Sequence, residues 1–250
     1  ENSRFAYDSY RRLIMMYADV VMEKSSGIIV EDNHGIRHKL ESVMSQYKLD
    51  KGYVNDTDLD AKDLQILCKE FKEIIKQTLN IEFPDDPKIQ LWDAIQAVFY
   101  SWNGERAKNY RKIENISDRA GTAVNIQSMV FGNMGSGSAT GVAFTRNPST
   151  GDNVFYGEWL ENAQGEDVVA GIRTPNPLND ASRSNQSKEL QSLEDGYPEL
   201  YKQLFDIKNL SDNCPGHRID GLLRSNRRQT APPTVQLYHH HHIPPPPDRH

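Results

Sequence analysis

The strongest constraint on this chain is a change in hydrophobic period near Gly121. Before it, apolar residues recur three and four apart, the spacing that gathers side chains on one face of an α-helix. Tyr10, Leu13, Ile14, Tyr17, Val20 and Val21 predict a helix over 4–23, and Ile36, Leu40, Val43, Met44 and Tyr47 a second. In the third, Leu64, Leu67, Cys68, Phe71, Ile74, Ile75 and Leu79 form one stripe behind Asp60, whose carboxylate can accept the first free N–H groups. A fourth begins at Pro87, a residue suited to a first helical position, and carries Ile89, Trp92, Ile95, Phe99 and Trp102.

After Gly121 the text reads as short β-rich runs. These are Thr122 to Phe131, with Val124, Ile126 and Val130 facing one way, then Gly141 to Thr145, Val154 to Leu160 and Asp167 to Ala170. Turn signals at 132–138 and 147–152 separate them, so an antiparallel β-meander with a glycine-rich hairpin loop is expected. Helical spacing returns over 188–207, interrupted by Gly196 and Pro198. The last stretch differs again: residues 209–250 hold seven of the 13 prolines and six of the eight histidines, including the run His239 to His242. With no period to bury, this tail is expected to be disordered, and no biological metal site is assigned to its histidines. The expected organisation is a helical subdomain over 1–120, a β-rich segment with a C-terminal helix over 121–207, and a tail over 208–250.

Composition removes whole classes of function. The 250 residues carry 29 Lys+Arg against 35 Asp+Glu, a formal charge of −6, which argues against a general nucleic-acid or anionic-membrane binder. Mean hydropathy is −0.71, and no apolar run approaches the roughly 18 residues that a membrane helix needs. Two cysteines, Cys68 and Cys214, exclude a disulfide scaffold and a cysteine-built zinc site. The chain opens Glu1-Asn2-Ser3-Arg4, without an initiator Met or a leader pattern, so its true start is expected to have been lost by processing or truncation.

The loop from Gly132 to Gly141 is the most suggestive segment. Four Gly, two Ser and the hydroxyl of Thr140 would let backbone N–H groups approach a phosphate closely, yet the same composition suits a solvated turn, and neither a Walker nor a Rossmann pattern is present. Other candidates have plainer readings. Glu158 and Asp167 could pair on a metal or simply face solvent; Arg11 and Arg12 could meet phosphate or form surface salt bridges.

Longer strings decide more. Gly-Thr-Ala-Val-Asn-Ile-Gln-Ser-Met-Val-Phe-Gly-Asn at 121–133, Ser-Ala-Thr-Gly-Val-Ala-Phe-Thr-Arg-Asn-Pro-Ser-Thr-Gly at 138–151, Tyr-Gly-Glu-Trp-Leu at 156–160 and Asn-Ala-Gln-Gly-Glu-Asp-Val-Val-Ala-Gly-Ile-Arg-Thr-Pro at 162–175 closely resemble the nucleotide-binding domain of the pyruvate, phosphate dikinases. Arg-Phe-Ala-Tyr-Asp-Ser-Tyr-Arg-Arg at 4–12 and Ala-Val-Phe-Tyr-Ser-Trp-Asn at 97–103 fit the same family, so the resemblance covers residues 4–207. It implies an α+β, partial ATP-grasp domain and a reaction that converts ATP, pyruvate and phosphate to AMP, phosphoenolpyruvate and pyrophosphate. ATP and Mg²⁺ are the implied cofactors. The implied partners are a swivelling phosphohistidine domain, a pyruvate-binding barrel and a second copy in a homo-oligomer. The implied location is the cytoplasm, with a plastid or glycosome as alternatives.

By the same resemblance, Gln127, Ser128, Met129 and Val130 form the hinge strand whose backbone meets adenine. Ser138, Thr140 and Gly141 belong to the loop over the β- and γ-phosphates, and Glu166 is a cleft carboxylate. Read without it, Gln127, Met129 and Glu166 are an edge-strand polar residue, a core filler and a turn carboxylate. No catalytic residue and no metal ligand is assigned, because the family's phosphohistidine domain and its magnesium-binding carboxylates are expected to lie outside this chain. The family pattern stops at Ile207, so the residues after Lys208 are expected to be out of frame and the chain to be catalytically incompetent alone. The alternatives are a short non-catalytic nucleotide- or partner-binding protein and a relative of the phosphoenolpyruvate synthases.

Overall fold

The computed structural model describes residues 2–24, 35–169, 171, 173–212, 220–226 and 234–239, with side chains through 210. It divides into two compact units, Glu1–Ile126 and Gln127–His250. Among the described residues the first holds α-helices and the second combines helices with an antiparallel sheet, so the chain is α+β.

Helix α1 (Ser3–Tyr17) starts at Asn2, whose side chain accepts the Phe5 N–H, and continues without a break into a π-helical segment, Ala18–Lys24. Helix α2 (Gly35–Lys51) is started from a distance: the buried Glu23 carboxylate accepts the Ile36 N–H at 2.5 Å. Helix α3 (Ala61–Leu79) follows the expected Asp60 cap. The Asp60 carboxylate accepts from Lys62 and Asp63 while Asp63 accepts the Asp60 N–H, a reciprocal capping box. The helix ends where Asn80 turns left-handed at φ 55°. Its stripe of Leu64, Leu67, Phe71 and Ile75 is fully buried against Ile14, Ile36 and Leu40 of the two preceding helices. Each such side chain contributes about 1.5–3 kcal/mol by leaving water.

Two expectations fail in this unit. Arg11 and Arg12 do not lie on the surface: they are 2% and 8% exposed, and both pair with the buried Asp8, at 2.7 Å and 3.4 Å. Buried guanidinium groups need such a carboxylate, and Arg11 also reaches the Met44 sulfur on α2, tying the helices together. Helix α4 (Pro87–Ser101) starts at Pro87 as expected, with Asp86 as its cap, but its stripe is no core: Ile89, Trp92 and Phe99 are 49–64% exposed and only Ala97 is buried. The core is already closed by α1, α2 and α3. Helix α5 (Glu105–Ile113) completes the unit, with Arg111 stacked 4.0 Å over the Trp102 ring.

In the second unit β1 (Ser138–Phe144), β2 (Tyr156–Glu161) and β3 (Asn176–Pro177) lie side by side, and the sheet continues on the far side of β1 in the order β3-β2-β1-β4-β5 with β4 (Asp220–Asn226) and β5 (Thr234–His239). Register pairs Thr140 with Leu160 and Gly141 with Trp159, all antiparallel. Trp159 packs edge-on against Tyr197, and its indole N–H donates to the Pro177 carbonyl at 3.2 Å. Leu178, Leu193, Leu200 and Leu204 close this core beneath α7 (Leu193–Gly196) and α8 (Pro198–Asp212). The break between these helices falls at the expected Gly196 and Pro198.

Three β readings are corrected. Residues 121–131 carry no regular secondary structure, so 132–137 leads into β1 instead of joining two strands. A β-rich run is only a weak prior until the tertiary structure supplies its ladder. Asp167 to Val169 is not a strand: helix α6 (Gly165–Val169) occupies it, because the Asp167 carboxylate accepts the Gln164 N–H at 2.7 Å and caps the turn, while Ala170 lies outside the described residues. The tail is not wholly without structure. β4 pairs with β1 from Ser138↔Asn226 to Phe144↔Asp220, and β5 pairs with β4. Backbone pairing needs no apolar period, and β4 satisfies the edge of β1 that would otherwise stand open. The run His240 to His242 and the proline run after it lie outside the described residues.

Candidate functional site

The glycine-rich segment is held by a second segment, 161–164, at the end of β2. Gly132 accepts the Ala163 N–H at 2.9 Å and Ser138 accepts the Asn162 N–H at 2.8 Å, so the loop is sewn to that turn at both ends. Between these points Gly135 and Gly137 sit at φ 111° and 83°, conformations open to glycine and strained for other residues. Their N–H groups are engaged: Gly135 donates to Asn162 Oδ1 at 3.1 Å and Gly137 to Glu161 Oε1 at 3.0 Å. Gln164 adds a bond from its amide to Asn133 Oδ1 at 3.2 Å, and Arg173 braces the carbonyls of Glu161 and Asn162 at 3.3 Å.

Close approach explains the other glycine at the base of the loop. A Cβ on Gly132 would stand 1.9 Å from Thr140 Oγ1 and 2.6 Å from two carbonyl oxygens. The Thr140 hydroxyl, 1% exposed, donates to the Ala163 carbonyl at 2.6 Å. Thr140 therefore fastens β1 to the turn, and its hydroxyl is already used within the protein. Ser138 and Gly141 share the buried strand β1 with it; a Cβ on Gly141 would come within 2.6 Å of the Glu158 carbonyl across the ladder.

The remaining residues singled out from the sequence lie more openly. Gln127 is exposed, Met129 is 43% exposed, and both belong to the irregular stretch before the loop. Glu166 is half-buried in the first turn of α6, two residues beyond Gln164. The structure thus brings Ser138, Thr140 and Gly141 together on one strand, while its contacts do not draw Gln127 or Met129 to them.

Glu161, Asn162 and Gln164 were missed by reasoning from residue type. A usable signal existed: Asn162 opens the Asn-Ala-Gln-Gly string, and asparagine tolerates the left-handed turn it adopts at φ 48°. Among the described residues, no group of three or more His, Cys, Asp or Glu is placed to hold a metal ion, so Glu158 and Asp167 do not form part of such a site. These residues do not by themselves furnish a magnesium site.

Chemically, the arrangement is a short glycine loop whose amide hydrogens point at side-chain oxygens, one of them a carboxylate. Such amides suit an anionic oxygen of a ligand as well as they suit Glu161.

Comparison with known proteins bears on which ligand. Residues 75–195 match the family model described as the pyruvate phosphate dikinase AMP/ATP-binding domain. The matched residues belong to the pyruvate phosphate dikinase family. The chain is 49% identical over 209 residues to the pyruvate, phosphate dikinase of Rhizobium meliloti, covering 83% of this chain and 22% of that protein. It is 50% identical over 207 residues to that of Clostridium symbiosum, covering 82% and 21%. It is also 50% identical over 208 residues to the chloroplastic pyruvate, phosphate dikinase 1 of Arabidopsis thaliana, covering 83% and 19%. The chain thus spans about a fifth of the length of these curated dikinases. The dikinase-family match contains the whole glycine loop, β1, β2, α6 and every candidate site residue. Among the described residues no helix is long and apolar enough to cross a membrane.

Proposed function

We propose that the segment 127–166 is the nucleotide-facing part of an ATP-grasp domain, and that the protein to which this chain corresponds is a pyruvate, phosphate dikinase. That enzyme converts ATP, pyruvate and phosphate to AMP, phosphoenolpyruvate and pyrophosphate. The observation that carries the reading is the position of the family match: it falls on the glycine loop whose Gly135 and Gly137 amides, bonded to Asn162 and Glu161 in this structure, are donors of the kind an anionic oxygen accepts from. Gln127 and Met129 are assigned to the adenine end, and Ser138, Thr140 and Gly141 to the strand supporting the phosphate-covering loop. Thr140 acts by holding the loop against Ala163, and Glu166 is a carboxylate bordering the same cleft. ATP enters as its magnesium complex. The phosphohistidine and pyruvate-binding parts, a homo-oligomer, and a cytoplasmic or plastid location belong to the same proposal.

Phosphoryl transfer depends on cations set against the transferring group, and Arg173, the cation seen bonding to this loop's partner turn, is committed to two backbone carbonyls. This chain alone is therefore expected to bind Mg·ATP with a dissociation constant on the order of a millimolar or weaker. Photolabelling with 8-azido-ATP followed by peptide mapping tests the assignment. Label is expected within 121–141, suppressed by excess ATP. ATP-protected label confined to the helical unit before residue 100 would sink the reading.

A further inference from the structure

A second cleft lies in the helical unit and shares no residue with the glycine loop. It has a volume of about 490 Å³, within the size range of small-molecule sites. One wall is α4, where Asp93, Gln96 and Tyr100 fall three and four residues apart and so share a face. The other comprises Tyr17 at the end of α1 and Val21 and Met22 of the π-helical segment. Ile81, Glu82 and Pro84 form its edge.

Its polar groups are unequally satisfied. Glu82 is neutralised by Lys76 at 2.7 Å. Asp93 has only a neutral partner among the described residues: its Oδ2 accepts the Tyr17 hydroxyl at 2.7 Å. Burial first, and then the bond to Asp93, raise the Tyr17 pKa well above its ordinary value, so the hydroxyl remains a proton donor and brings no positive charge. The second Asp93 oxygen, the Gln96 amide and the Tyr100 hydroxyl make no hydrogen bond to the described residues, yet all three belong to one helix face. Two tyrosines line the cleft with this carboxylate, and among the described residues no Lys, Arg or His lines it. Rings of this kind attract cations through their negative faces. The segment Ala18–Lys24 adds a further sign, since π-helical turns are uncommon and concentrate at functional sites.

We propose that this cleft binds a small organic cation, an amine or amidinium carried on an apolar body. The cationic head would take the free oxygen of Asp93, with Gln96 and Tyr100 as neutral hydrogen-bond partners. The body would lie against Val21, Met22, Ile81 and Pro84. A phosphate or carboxylate ligand is disfavoured, because the Asp93 carboxylate, which has no cationic partner among the described residues, would repel it.

Benzamidine and benzamide have nearly the same shape and differ in charge, so titrating both into the intact 250-residue chain by calorimetry separates charge recognition from simple apolar filling. Benzamidine should bind at least about tenfold more tightly, a difference of about 1.4 kcal/mol. Asp93→Asn should abolish that preference. Tyr17→Phe, which frees the other Asp93 oxygen, should keep or increase it. Gln96→Lys, at an exposed position, provides a check that does not disturb the Tyr17–Asp93 pair and should weaken benzamidine alone. Equal binding of the two compounds, binding of neither, or an undiminished preference in a folded Asp93→Asn or Gln96→Lys protein would overturn the proposal.

Discussion

Replacing Gly132 by alanine would place a methyl carbon 1.9 Å from Thr140 Oγ1 and 2.6 Å from the carbonyl oxygens of Ala139 and Ala163. No two of those three contacts can be relieved by one movement. Rotating Thr140 removes the shortest, but its hydroxyl then leaves the Ala163 carbonyl, and both groups lie buried. Breaking that bond costs about 1–3 kcal/mol. The two carbonyls belong to backbone that cannot rotate away: Ala139 is in β1, and Ala163 is tied to Gly132 itself by a 2.9 Å hydrogen bond. Forcing them apart has the character of an overpacked core and costs a further 1–3 kcal/mol or about that. The expected loss is therefore roughly 4 kcal/mol, a large part of the stability of an ordinary domain. Hydrogen exchange followed by mass spectrometry reads it by region: β1 and β2 should lose protection while α1, α2 and α3, in the other unit, keep theirs. Adding Thr140→Ala should recover only part of the loss, because the carbonyl contacts persist. A change below about 1 kcal/mol in the β1 region, or complete recovery by Thr140→Ala, would refute the steric argument.

The helical unit offers three further tests. Asp60→Ala removes the carboxylate that accepts the Lys62 and Asp63 N–H groups, while Asp63 can still accept the backbone N–H of residue 60, and should lower stability by about 1 kcal/mol in urea unfolding followed by far-UV circular dichroism. Cys68 is buried, which pushes its thiol pKa up to about 11, so it should resist Ellman's reagent at pH 8 until the protein is unfolded. Burial pushes the Asp63 carboxyl upward, but the Tyr47 hydroxyl, the Asp60 N–H and Lys51 together hold it below its ordinary value. A depressed folded pKa gives stability that is present above the unfolded value of about 3.9 and lost as pH falls through the folded one. Asp63→Asn should accordingly flatten the acid side of the plot of urea midpoint against pH, and an unchanged slope below pH 4 would contradict it.

Legibility in the sequence tracked how local each determinant is. Helix α3 was readable from cap to stripe, since Asp60, Asp63 and the apolar positions act within a few residues of one another. Helix α4 was readable as a helix, but the exposure of Trp92 and Phe99 depends on which other helices had already closed the core. The run at 167–170 is too short for its period to separate strand from helix, and the Asp167 cap decided it. Of the candidate site, Ser138, Thr140 and Gly141 were found because they sit in a distinctive glycine string. Glu161, Asn162 and Gln164, which hold that string, look like ordinary polar residues until the fold brings them back to it.

By itself, then, the sequence determined the elements whose hydrogen bonds close within a turn or two: the four long helices through α4, the Asp60 cap of α3 and the Gly196–Pro198 break. It also carried the family resemblance, because matching strings needs no geometry. Only the tertiary structure decided where the Thr140 hydroxyl goes, since its acceptor at Ala163 is 23 residues away. The same holds for the burial of Arg11 and its contact with Met44, for the β1 edge that β4 completes, and for the cleft where Tyr17 meets Asp93 across 76 residues. The physical reason is common to all of them. A buried polar group must find a partner wherever the folded chain supplies one, and residue type specifies the need without specifying the partner.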